Sequence, residues 1–211
     1  MADAVREIHR RTGHRLVVFH SGETLKIPHA LFRLHPLQAG EEVDVAAFVS
    51  RLRTEENRYA LEAAVRMLEM RDRSEQEVYR KLTDSGFSGP AAAAAVAKLL
   101  ELGYLNDAAY ARQAVARLQK KYGSIRIRQE LRSKGIQDSL IADSLHESDR
   151  EEQVEAAARI ARKTYVRLSA EPENAYRRAY AALARRGFTP DVVRAALEVV
   201  QEEVRNPSDD G

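Results

Sequence analysis

The sequence predicts an all-α protein, an elongated tandem array of three three-helix repeats with a small β-hairpin-containing N-terminal extension. Three observations predict it. Alanine, leucine, arginine and glutamate dominate a 211-residue chain that has only 10 Gly, 6 Pro and no Trp, the composition of packed helices. A helix-ending pattern closed by glycine returns after 49 and then 52 residues, at Gly86, Gly135 and Gly187. Before about residue 50 the apolar spacing is instead that of short strands.

The extension comes first. Leu16 to Phe19 and Thr24 to Ile27 are short β-prone runs, and His20-Ser21-Gly22-Glu23 between them suits a hairpin turn. After Gly40 the chain turns helical, first with Val45, Phe48, Val49 and Leu52 at helical spacing, then over a longer segment from about 57 to 71.

Three segments then align: 78–87, 127–136 and 179–188. Each has an apolar residue eight before the glycine (Val78, Ile127, Ala179) and leucine four before it (Leu82, Leu131, Leu183). A large apolar residue follows immediately (Phe87, Ile136, Phe188). Positions eight and four before the glycine share one helical face, and glycine supplies the left-handed residue that ends a helix, so the next side chain folds back onto that face. A further helix starts after each corner, marked by Gly89-Pro90, by Asp138 and by Thr189-Pro190. Those helices carry Val96, Leu99 and Leu100, then Leu140, Ile141 and Leu145, then Val192, Val193, Leu197 and Val200.

A longer helix precedes each glycine-ended one, at about 57–71, 107–121 and 149–168. Ser74 with Glu77 makes a capping box, and Ser148 or Asp149 before Glu151 and Glu152 gives an acidic first turn. The expected organisation is an extension at 1–55, repeats at 56–105, 106–147 and 148–204, and a disordered acidic tail at 205–211. Units this small bury little core alone, so they should dock on their neighbours in an elongated body with room to curve.

Composition also excludes functions. With no Cys there is no disulfide framework, thiolate nucleophile or cysteine zinc site, and a cytoplasmic home is expected. No apolar run is long enough for a signal sequence or a membrane span. Gly86-Phe87-Ser88-Gly89-Pro90 imitates a nucleophile elbow, but its closing glycine is displaced and no strand precedes it. No phosphate-binding glycine-rich loop ends in Lys-Ser or Lys-Thr. His14, His20, His29 and His35 lack metal-ligand spacing. No enzyme, metal or cofactor is expected.

Net charge is only +2, but its distribution is uneven. Between Ala108 and Ile136 eight cations face the single acid Glu130, whereas acids gather between Glu202 and Asp210. Such a field attracts polyanions even on a near-neutral protein.

Two phrases add to the repeat. The stretch 71–82, which reads Arg-Asp-Arg-Ser followed by Glu77, Val78 and Leu82, resembles a signature of the RecX family, bacterial regulators of the RecA recombinase. Gly103-Tyr104-Leu105-Asn106-Asp107 with Tyr110-Ala111 is similar to a second stretch of that family, and 122–136 resembles its basic second repeat. The likeness spans roughly 57–200. Val78 stands where leucine is usual, and Ala91 to Ala95 is blander than the family's third helix, yet both keep helical geometry.

The resemblance implies a RecA regulator that binds the RecA nucleoprotein filament on single-stranded DNA and alters its assembly, recombination and coprotease activities in DNA repair and the SOS response. It implies no catalysis. A monomer is expected, with possible contacts to single-stranded DNA and none to membrane. The alternative is a stand-alone nucleic-acid-binding module that uses the basic second repeat.

Lys120, Lys121, Tyr122, Arg126, Arg128, Arg132 and Lys134 in the second repeat are the candidate contacts. Arg128 and Arg132, one turn apart on one face, are read as an unpaired couple, and Arg126 is expected to pair with Glu130. Lysines at helix ends also complement the helix dipole without any partner. Tyr122, beside two lysines, is the tyrosine placed to stack on a base, while Tyr104 and Tyr110 are read as packing residues. Arg159, Arg162 and Lys163, with Arg167, Arg177, Arg178, Arg185 and Arg186, form a second group near Glu151, Glu152, Glu155, Glu171 and Glu173.

Overall fold

A computed structural model describes residues 2–146, 150–167 and 172–205. The chain divides into two compact units after Asn106.

The first unit begins with strands β1 (Ala2–Arg10), β2 (His14–Phe19) and β3 (Thr24–Pro28), a short helix α1 (His29–Leu34) and strand β4 (Glu42–Asp44). Helices α2 (Val45–Met70), α3 (Glu75–Asp84) and α4 (Gly89–Glu101) follow. The sheet is antiparallel in the order β3-β2-β1-β4. The expected hairpin is present: Val17 faces Leu25, and Gly22 takes the turn at a φ of 90°.

Two strands of that sheet, β1 and β4, go beyond the expectation. Alternation in β1 is broken by a register shift between Val5 and Glu7, so Val5 is its one fully buried residue and the period-two signal disappears. The extension is also no appendage. Val5, Val17, Phe19 and Ile27 of the sheet share one core with Phe48, Leu52, Leu82 and Phe87 of the helices.

Helix α2 runs without a break through the boundary expected after residue 55 and joins the two helical segments read there. Its buried row is Phe48, Leu52, Glu56, Ala60 and Ala64. Glu56 interrupts the apolar pattern because it caps a neighbouring helix: the Ser88 backbone N–H and hydroxyl both donate to its carboxylate, at 2.6 and 2.7 Å. Ser88 also accepts from the Ala91 N–H at 3.3 Å, as the N-cap of α4. That hydroxyl is therefore held as a helix cap. Ser74 caps α3 by accepting from the Glu77 N–H at 3.2 Å.

The second unit holds α5 (Asp107–Leu118), α6 (Ser124–Ser133), α7 (Asp138–His146), α8 (Arg150–Arg167), α9 (Pro172–Arg185) and α10 (Pro190–Arg205). It has two cores, one from α5 to α7 and one from α8 to α10. Ser148 and Asp149, read as the start of α8, lie outside the described residues. So does the acidic tail after Arg205.

The glycine corners have the form the repeat predicts. Gly86, Gly135 and Gly187 have φ of 90°, 80° and 78°. The residue after each donates to the carbonyl of the repeated leucine: Phe87 to Leu82 and Ile136 to Leu131 at 3.1 Å, Phe188 to Leu183 at 3.3 Å. Each glycine N–H donates to the residue after that leucine, which completes the paired bonds that end a helix on a left-handed residue. All nine aligned apolar side chains are buried. In the third helices the match is nearly complete, but Leu100 is exposed and buried Ala91, Ala92 and Ala95 carry the face of α4 instead.

Candidate functional site

The basic segment starts where α5 ends. Leu118 is its last helical residue, and Lys121 and Tyr122 both donate backbone N–H groups to the Leu118 carbonyl, which closes the helix in a turn. Lys120 and Lys121 project from this turn and are exposed. On α6, Ile127 and Leu131 face the core while Arg126, Arg128 and Arg132 are exposed.

The expected couple of Arg128 and Arg132 does not stand. Arg132 donates to both carboxylate oxygens of Asp138, at 2.6 and 3.1 Å, across the Gly135 corner. That contact holds the Asp138 carboxyl below its usual range and raises the Arg132 guanidinium. Asp138 is the first residue of α7, so Arg132 braces one helix end against the next helix start. Arg128 makes no ion pair or hydrogen bond among the described residues, although its charge adds to that of Arg132 in lowering the Asp138 carboxyl, and the side chains of Lys120, Lys121 and Lys163 make none either. Lys134 is half-buried and engaged.

Arg126 also departs from expectation. Its guanidinium lies over the Tyr122 ring, 5.9 Å from the centroid, instead of pairing with Glu130. Tyr122 is half-buried and packs on the second-repeat core, beside a cleft of about 180 Å3 lined by Leu118, Arg126, Ile127 and Glu130. Its ring face is thus partly taken. Tyr104, read as a packing residue, is 65% exposed, and the neighbouring Leu105 is buried in its place. Tyr110 does pack against the core of its repeat.

Helix starts attract anions, but the start of α6 is already occupied. Gly123 donates its N–H to the Arg186 carbonyl and Ile125 to the Gly187 carbonyl, both at 3.0 Å. The glycine corner of the third repeat therefore takes two of the N–H groups at the start of α6. The fit is close: a Cβ on Gly123 would lie 2.2 Å from Phe188 Cα, and one on Gly187 2.5 Å from the Arg126 nitrogen.

The remaining candidates lie on α8 and divide sharply. Arg162 is clamped between Glu155 and Glu203, with contacts of 2.8 Å to the first and of 2.7 and 2.8 Å to the second. Both carboxyls are held below their usual range by it, and it is raised in turn. Arg162 is a clip between α8 and α10, with its charge spent inside the protein. Arg159 donates to the Lys120 carbonyl at 3.3 Å and so ties α8 to the basic turn, while Lys163 is exposed. Beside them, Arg167, Arg177, Arg178 and Arg185 line one groove between α8 and α9, a grouping that sequence reading left mixed with its acidic neighbours.

Three family models match in order: the first three-helix domain of RecX over 60–99, the second over 106–145 and the third over 151–197. The regulatory protein RecX of Vibrio campbellii is 32% identical over 143 residues, which cover 67% of this chain and 92% of that one. The Stenotrophomonas maltophilia protein of the same name is 36% identical over 137 residues, 64% of this chain and 83% of that one. In Bacillus cytotoxicus the identity is 29% over 213 residues, 93% of this chain and 76% of the relative.

Solved structures agree in fold. The crystal structure of RecX from Lactobacillus salivarius superposes with a TM-score of 0.67 at 24% identity, over 71% of this chain and 99% of that one. A second crystal structure, of a regulatory protein RecX, gives 0.64 at 23% identity over 95% and 100%. Ordered repeat matches, relatives covered over 76–92% of their length and a shared fold lead to one conclusion: the chain belongs to the RecX family, a family of regulatory proteins.

Proposed function

We propose that this protein regulates the RecA recombinase by binding the RecA nucleoprotein filament on single-stranded DNA. Binding alters filament assembly, recombination and coprotease activity, and so tunes DNA repair and the SOS response. The observation that carries the reading is the ordered match of all three RecX three-helix domains, with 92% of a curated regulatory relative covered. The protein acts as a cytoplasmic monomer without a cofactor.

Lys120, Lys121 and Arg128 are the contacts we assign to the filament, because they are exposed and none makes an ion pair or side-chain hydrogen bond among the described residues. Arg132 and Arg162 are withdrawn from that role, since each already holds a carboxylate. The test is RecA-catalysed ATP hydrolysis and strand exchange on single-stranded DNA. Both change at substoichiometric amounts of this protein if the reading is right, and unchanged rates at saturating amounts refute it.

The same exposed cations support a second reading, a nucleic-acid-binding module that works without RecA. It predicts DNA affinity that falls steeply with salt in the protein's own right, because neutralised phosphates release counterions.

A further inference from the structure

Helices α8 and α9 leave between them a groove of about 560 Å3. Arg167 stands on the α8 side; Arg177, Arg178 and Arg185 stand on the α9 side, with Ala181 and Ala182 between them. No carboxylate is among the groove's described lining residues. We propose that this groove is a second polyanion site, which takes the phosphodiester backbone of a single nucleic-acid strand. It rests on residues other than Lys120, Lys121 and Arg128, and it needs no RecA.

Charge is the first argument. Arg162 and Arg167 lie on the same helix, yet Arg162 is neutralised by two carboxylates whereas Arg167 has no ion pair or hydrogen bond among the described residues. Arg177 and Arg185 are equally free, and Arg178 donates only to the neutral Asn174 carbonyl oxygen, at 3.2 Å. Four like charges that line one groove repel one another, so this arrangement is opposed within the protein and relieved by an anion from outside. The rest of α8 shows that carboxylates are at hand where a cation is meant to be silent.

Geometry is the second. Arg177, Ala181 and Arg185 recur at intervals of four residues, so they form one row about 12 Å long. Phosphates of a stacked strand advance about 3.4 Å along the helix axis, so the row spans at most about three to four of them and fewer in an extended strand. Alanines between the arginines leave room for a backbone to approach α9 closely, and planar guanidinium forks match phosphate oxygens in pairs.

The third argument selects among polyanions. A peptide partner draws its affinity mainly from buried aromatic or aliphatic anchors. Here the apolar lining is two alanines, which offer no pocket for an anchor. A chain of regularly spaced charges with little apolar surface, such as a phosphodiester strand, fits the lining.

The test uses the full chain without RecA and a fluorescein-labelled oligothymidylate of about 15 nucleotides, read by fluorescence anisotropy between roughly 50 and 200 mM salt. Arg177→Gln with Arg185→Gln is expected to flatten the plot of log affinity against log salt by about 1.4, some 0.7 for each phosphate that is no longer neutralised. Affinity at 0.1 M salt then drops about 25-fold. Both side chains are exposed, so melting temperature should stay at the wild-type value; if the double variant fails to fold, each single variant is read for half the change in slope.

An unchanged slope in these variants overturns the proposal, as does wild-type protein that does not bind the strand. Poly-glutamate of equal length that competes as well as unlabelled oligothymidylate overturns it in favour of an acidic protein partner. Loss of binding only in Lys120→Gln with Lys121→Gln and Arg128→Gln assigns the strand to the second repeat and removes it from the groove. None of these outcomes bears on RecA-dependent hydrolysis, so failure here is distinguishable from failure of the regulatory reading.

Discussion

The first and third repeats end a helix in the same way and then use that corner on different neighbours. In both, a glycine at positive φ lets the next phenylalanine donate back to the repeated leucine. In the first repeat the corner meets the sheet: a Cβ on Gly86 would lie 3.0 Å from the His14 side chain and 3.4 Å from the Pro28 nitrogen. In the third repeat the corner meets a helix start, backbone against backbone, through Gly123 and Gly187. The recurring pattern therefore encodes how a helix stops, whereas the surface that receives the stop is encoded elsewhere, in Gly13 and His14 for one unit and in Gly123 for the other.

That contrast breaks first at Gly123. An alanine there needs the backbone of 187–188 to move, because its Cβ would come within 2.3 Å of Gly187 oxygen and Phe188 nitrogen. Gly123→Ala should cost more than about 4 kcal/mol, in the range reserved for severe defects, and chemical-shift changes should concentrate in the second unit. Thermal unfolding followed by circular dichroism, with amide spectra, checks both.

Leu131→Ala probes the corner itself, apart from its docking. With Leu131 only 1% exposed, truncation should lower stability by about 2–5 kcal/mol in urea unfolding, while oligonucleotide binding by the folded fraction persists. Gly86→Ala is gentler than either. Its left-handed backbone adds about 1–2 kcal/mol of strain, and its nearest neighbour, the His14 Cβ, lies at 3.0 Å, a tight contact but far looser than the 2.2 Å backbone contact at Gly123. A cost at Gly86 as large as at Gly123 would erase the distinction between the two corners.

The smallest effect concerns the Arg162 clip between α8 and α10. Glu155 and Glu203 are depressed by Arg162 in the folded state, so their contribution is present above the ordinary glutamate range and lost as pH falls through the lowered folded values. Arg162→Gln should therefore lower the neutral plateau by the small amount a screened surface pair contributes and flatten the loss of stability below about pH 4.5, so that variant and wild type converge in acid.

The comparison also separates what could be read in the residues from what could not. Helix ends were legible, because one glycine and three apolar positions at helical spacing suffice to describe a corner. Docking was not, since Gly123 carries no local signal of the backbone that will press against it. The long α2 was obscured by Glu56, a carboxylate placed in a buried row to cap a helix 32 residues away. Strand β1 was hidden by its bulge. Among the candidate contacts, type and concentration of charge were visible, but pairing was not. Arg132 finds Asp138 across a turn, at a spacing of six that no helical rule flags, and Arg162 finds Glu203 from another helix 41 residues away. Sequence neighbours accordingly misjudged the arginine couple on α6 and gave no sign of the groove that the arginines of α9 line.

Free cations of the second repeat, and not the braced ones, are the proposed contacts to the RecA filament. Co-sedimentation of the full chain with RecA filaments on single-stranded DNA tests this assignment, with Lys121→Glu and Arg128→Glu together set beside Arg162→Gln. The first variant should stay in the supernatant while the second pellets like wild type, both at nearly unchanged melting temperature. Equal pelleting of the charge-reversed variant and wild type would contradict it.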